Sequence, residues 1–86
     1  MNESAEAVSK RVAWTVELRG HTCVVFAATK AKAQWIATRS YWDAYGNDGT
    51  WPRAVARRAE CYDKSPIAKD PRQRAWSEDY VMDHNI

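Results

Sequence analysis

His21 and Cys23 stand two residues apart, a spacing that on a strand places imidazole and thiol on one face. In principle such a pair supports a thiolate–imidazolium nucleophile. Nothing nearby supplies a clear orienting acid or an oxyanion hole, so the pair reads as a turn histidine beside a small strand residue. The cysteines and histidines run in the order His21, Cys23, Cys61, His84. No CxxC or HxxxH pair exists, and no zinc site is expected. Glu78, Asp79 and Asp83 gather near the C-terminus. Carboxylates hold Mg²⁺ only when they converge with a partner from elsewhere, so this set reads as a solvated helix face or tail. The chain has no G-x-G-x-x-G, Walker loop or G-x-S-x-G, and only three glycines from which to build a phosphate cradle. No catalytic residue, metal ligand or cofactor is expected, and the chain reads as a non-enzyme.

Two constellations are better suited to binding. Trp35, Arg39, Trp42 and Tyr45 are spaced along one side of a helix, with Trp51 shortly after. Trp, Tyr and Arg are the residues enriched at interface hot spots, so this side is a candidate protein-binding patch. An aromatic stripe at helical spacing is equally a core feature, and burial decides between the two. The second constellation is Arg53, Arg57 and Arg58 beside Trp51, which suits phosphates and a stacked base. Its plainer reading is an edge strand guarded by charge.

Composition narrows the field. The 86 residues carry 13 Lys+Arg against 11 Asp+Glu, a net charge of +2 that does not by itself imply nucleic acid. A chain of this size makes one domain with a thin core. Five tryptophans are more than such a core obviously needs. The residues from Met1 to Arg11 lack the apolar run of an export signal, and the longest strictly apolar stretch, Cys23 to Ala28, is too short to span a bilayer. Reduced thiols in a cytoplasmic protein, with no membrane contact, are the expectation.

The elements that must position these residues follow from periodicity. Residues 1–10 read as a loose arm. Val12, Trp14, Val16 and Leu18 alternate with Ala13, Thr15 and Glu17, the pattern of a half-buried strand. Thr22 to Ala28 reads as a second strand. A three-residue loop, Arg19-Gly20-His21, would pair Val16 with Val24 and Trp14 with Phe26. That register gathers every large apolar side chain of the hairpin except Val25 on one face, and is preferred on that ground. Thr29 as N-cap and Gly46 after the last turn bound a helix over Lys30–Tyr45. Its Ala33, Ile36 and Ala37 side is expected to pack on the hairpin. Asn47 to Thr50 reads as a turn and Arg53 to Tyr62 as a poorly alternating third strand, at an edge or with a bulge. Residues 64–70 form a connector, and Asp70-Pro71 opens a short helix to about Asp83 carrying Trp76 and Tyr80.

The run from Ala13 to Tyr45, W-T-V-E-L-R-G-H-T-C-V-V-F-A-A-T-K-A-K-A-Q-W at its centre, resembles small ββα-type accessory proteins of bacteriophages and prophages. Some of those inhibit host defence, anti-CRISPR proteins among them. The resemblance covers about the first half of the chain and transfers no residue role. It implies a compact protein that occludes a partner's surface, such as a defence-complex subunit. Small antitoxins and the DNA-binding arms of integrases share the outline, which keeps a nucleic-acid reading open. The combined expectation is an α+β fold, ββαβ, with a three-stranded antiparallel sheet on one main helix. It divides into an arm (1–10), a domain (11–63) and a C-terminal segment (64–86). The oligomeric state stays open.

Overall fold

A computed structural model describes residues 11–47, 49, 52–70 and 72–84. The expected arm over 1–10 and Trp51 lie outside these residues. The fold is α+β: a four-stranded antiparallel sheet carries one main helix. The strands are β1 (Val12–Leu18), β2 (His21–Ala27), β3 (Val55–Arg58) and β4 (Trp76–Ser77), and the sheet order is β3-β1-β2-β4. The helices are α1 (Lys30–Tyr45) and the short α2 (Glu78–Asp83), with 3₁₀ turns at Glu60–Tyr62 and Pro66–Lys69. The sheet therefore has one strand more than expected, contributed by the C-terminal segment.

The hairpin register differs from the expected one. Leu18 pairs with His21, Val16 with Cys23 and Trp14 with Val25, so the loop is Arg19-Gly20 alone. Both loop residues have positive φ, 47° and 81°, the signature of a type I′ turn whose twist matches the flanking strands. The premise of a single buried face is what fails. Val16, Leu18, Val25 and Ala27 point to one side, where Ala33, Ile36 and Ala37 of α1 and Ala56 of β3 complete a core. Ala13, Val24 and Phe26 point to the other side. There they are covered by Ala59, Trp76 and Val81, with Tyr62, Ile67 and Ala68 partly buried around them. Val24 and Val25 are adjacent in sequence, face opposite ways, and are both fully buried.

The expected helix occupies its expected span. Thr29 Oγ1 accepts from Lys32 N at 3.2 Å, and Gly46 N donates to Trp42 O at 2.7 Å from a backbone with φ 86°. The small alanines let α1 lie close on the sheet. Gln34 Nε2 donates to Ala54 O at 3.1 Å, tying the segment before β3 to the helix.

The third strand is shorter than the expected Arg53–Tyr62. Ala59 N still donates to Ala13 O at 3.0 Å, but the Ala13 N–H is taken by Asp63 Oδ1 at 2.7 Å. A side chain thus ends the ladder where a fifth strand residue would stand, and the chain turns into 3₁₀ geometry. The C-terminal helix begins later than Asp70-Pro71. The Asp70 carboxylate instead accepts from Arg72 N at 2.9 Å, and residues 72–75 lead into β4 without helical structure. Ser77 is the N-cap, accepting from Tyr80 N at 3.2 Å.

A Cβ added at Gly20 would touch nothing within 4 Å, so substitution there is opposed by backbone conformation alone. Gly20→Ala is expected to lower the unfolding free energy by about 1 kcal/mol, read from urea denaturation. An undiminished midpoint would contradict the two-residue turn.

Candidate binding surfaces

The outer side of α1 carries part of the expected aromatic patch. Trp35 keeps 42% of its surface exposed, and its ring meets that of Trp42, itself half-buried, edge-to-face at a centroid distance of 6.0 Å. Arg39 is exposed on the same helix. Tyr45 is brought to a different cluster: it stacks on His21 at 5.1 Å and meets Tyr41 at 4.9 Å. The structure thus groups Trp35 with Trp42 and separates Tyr45 from them by its contacts.

The three arginines expected to form one basic stretch do not share a face. β3 pairs Arg57 with Thr15 and Arg58 with Trp14, so strand alternation points the two side chains to opposite sides of the sheet. Arg53 and Arg57 are exposed. Arg58 is engaged: it forms a two-pronged ion pair with Asp63 at 2.9 and 2.7 Å, donates to Ala13 O at 2.7 Å, and lies over the Trp14 ring at 5.5 Å. Its hydrogen bonds hold the Asp63 carboxyl below the usual carboxylate range, assisted by the Ala13 N–H. Arg58 therefore closes the end of β3.

A cluster that sequence reasoning missed lies along the β4 edge. Arg72 and Arg74 both sit over the Trp76 ring, at 5.1 and 4.9 Å. Trp76 stacks on Tyr80 at 5.4 Å, and Tyr80 on His84 at 4.1 Å. His84 Nδ1 lies 2.8 Å from Tyr80 O, which pins the ring at the end of the stack. The i, i+4, i+8 spacing of Trp76, Tyr80 and His84 was legible as a helical stripe. What it lacked was the knowledge that Trp76 is the last strand residue before the helix and that the arginines fold back onto it.

His21 and Cys23 do line one cleft, with Tyr41 and Tyr45, as their spacing implied. Burial pushes the Cys23 thiol up to about 11, and its Sγ donates to Val16 O at 3.5 Å. At neutral pH the thiol is therefore held protonated in the cleft wall. Among the described residues no group of three or more His, Cys, Asp or Glu side chains is placed to hold a metal ion. None of the described helices is long and apolar enough to cross a membrane. Comparison with protein-family models, with curated proteins and with solved structures finds no match.

The depressed Asp63 carboxyl links stability to pH. Its stabilisation is fully present above the unfolded carboxylate value of about 3.9 and is lost as pH falls through the lower folded value. Asp63→Asn should therefore lower the melting temperature at pH 7 and flatten the acid limb of a melting-temperature profile taken from pH 7 to about pH 2. A variant with the same acid limb as the parent would show that Asp63 does not close the strand.

Proposed function

We propose that the chain is a non-enzymatic binding module that engages a protein partner through the outer side of α1, with Trp35, Arg39 and Trp42 as anchors. The observation that carries this reading is the exposure of Trp35. The inner side of the same helix already fills the core with Ala33, Ile36 and Ala37, while Trp35 on the opposite side leaves 42% of its surface to solvent. A wet indole forgoes hydrophobic stabilisation that a partner would return. The edge-to-face pair with Trp42 restricts both rings before any partner arrives, which reduces the entropy lost on association. Arg39 adds a guanidinium, the cationic group most often found in hot spots. A thiol held protonated in the cleft beside His21 supports the non-enzymatic part of the reading.

The resemblance of the first half to phage accessory proteins suggests the partner class, a subunit of a bacterial defence complex, and the mode, occlusion of its surface. The test is affinity capture from a lysate of a bacterium carrying such a complex. The bait is either the parent chain or a Trp35→Ala/Arg39→Ala/Trp42→Ala variant whose circular dichroism and melting temperature match it. One defined defence subunit should be retained by the parent, with affinity for the purified subunit falling by roughly a hundredfold or more in the variant, as loss of hot-spot residues does. Equal retention by both baits, or retention of no defence subunit, would overturn the proposal.

A further inference from the structure

Arg74 is a wall of three adjoining clefts. The first, about 200 Å³, lies between β2 and α1 and holds His21, Tyr41 and Tyr45. The second, about 440 Å³, is bounded by Ser40, Asp43, Ala44, Arg72 and Arg74. The third, about 310 Å³, is bounded by Arg72, Arg74, Trp76, Ser77 and Tyr80. The first two share Ser40, Ala44 and Arg74, and the last two share Arg72 and Arg74. Together they make one groove over the β4 edge of the sheet. Its middle carries the Arg72 and Arg74 guanidiniums, with Asp43 on its wall and Asp70 paired to Arg72, and each end is a stacked aromatic group.

The geometry points to this groove as a binding site for single-stranded nucleic acid, with phosphates at Arg72 and Arg74 and bases against the aromatic groups at its two ends. Three observations favour that ligand chemistry. Two guanidiniums converge on one indole, and a single carboxylate, Asp70, pairs with Arg72 at 2.9 Å. Arg74 is exposed and forms no direct ion pair among the described residues, feeling the Asp70 carboxylate only at longer range, so its guanidinium is open to an anion that would also relieve its repulsion with Arg72. Asp43 on the wall of the middle cleft is the opposing charge there, and it disfavours an isolated anion without closing the groove. Tyr45 is 64% exposed, and at the other end Tyr80, 41% exposed, is stacked between Trp76 and the exposed His84, so a base there would meet the rim of the stack or its His84 end. A chain of alternating anion and flat base matches cation flanked by rings, and it must be single-stranded for its bases to be free to stack.

The site uses the flank of α1 that carries Ser40, Tyr41, Ala44 and Tyr45, not the Trp35–Trp42 pair, so it stands or falls apart from the protein-binding reading.

The test is fluorescence anisotropy of the full chain with a labelled oligothymidylate and a labelled oligouridylate. Controls are a DNA duplex, an abasic oligomer of the same length, and a polyglutamate peptide. Binding of at least one single strand is expected, weakening by roughly sevenfold from about 50 to about 200 mM salt if both arginines meet phosphates. Arg74→Ala and Tyr80→Ala should each weaken it by about tenfold, with Arg74→Lys partly restoring it. Trp35→Ala and Arg57→Ala should leave it unchanged. Melting curves identify any variant that fails to fold, and Tyr80→Leu then replaces Tyr80→Ala, keeping an apolar group without the ring. The assignment is overturned by no single-strand binding at low salt. It is equally overturned by an abasic oligomer or polyglutamate binding as tightly as the bases-bearing strand, or by Arg57→Ala mattering where Arg74→Ala does not.

Discussion

The structure depends on a strand that needs cover on both faces. β2 reads His-Thr-Cys-Val-Val-Phe-Ala, and its last four residues are all buried. Alternation sends Val25 and Ala27 to one side of the sheet and Val24 and Phe26 to the other. A hairpin and one helix can cover only one of those sides. The second must be closed from elsewhere, and the segment after β3 does it with Tyr62, Ile67, Trp76 and Val81. A thin sheet with two small cores is the outcome, and it explains how so short a chain uses its large apolar side chains without a single thick interior.

That constraint separates what was legible in the sequence from what was not. α1 was legible because its signals are local: Thr29 caps it, Gly46 ends it, and alanines at helical spacing supply a close-packing face. The hairpin register was not, because the choice rested on which residues would otherwise face water. Val24 and Phe26 do not face water, and the reason lies some fifty residues away, at Trp76 and Val81, where no local pattern reports it. The turn itself hid the answer. Arg19 at positive φ is an uncommon occupant of a type I′ position, so Arg-Gly did not advertise itself as Asn-Gly would. β3 was placed but overextended, because its end is set by the Asp63 carboxylate reaching the Ala13 N–H, a side chain substituting for backbone.

The same long-range closure makes the surfaces. Pairing Val24 with Trp76 and Cys23 with Ser77 lays β4 along β2, and this brings Arg72 and Arg74 beside α1. Ala75 N donates to Ser40 Oγ at 3.0 Å, which fixes the approach. Residues from the start of β2, the end of α1 and the C-terminal helix then border one groove, although no stretch of sequence contains them together. The outer side of α1 was readable from spacing because a helix carries its own geometry. The tryptophans divide accordingly: Trp14 and Trp76 serve the sheet and its arginine neighbours, whereas Trp35 and Trp42 lie on the far side of the helix.

The hairpin register tests the two-sided sheet most directly, because a one-sided hairpin requires the other register. In an antiparallel pair, opposite residues that do not exchange hydrogen bonds bring their Cα atoms closest, which gives strong Hα–Hα contacts in a nuclear Overhauser spectrum. The two-sided sheet predicts such contacts between Thr15 and Val24 and between Ala13 and Phe26. A strong contact between the Hα atoms of Glu17 and Cys23, or of Thr15 and Val25, would contradict it, and with it the place of Trp76 and Val81 in the second core.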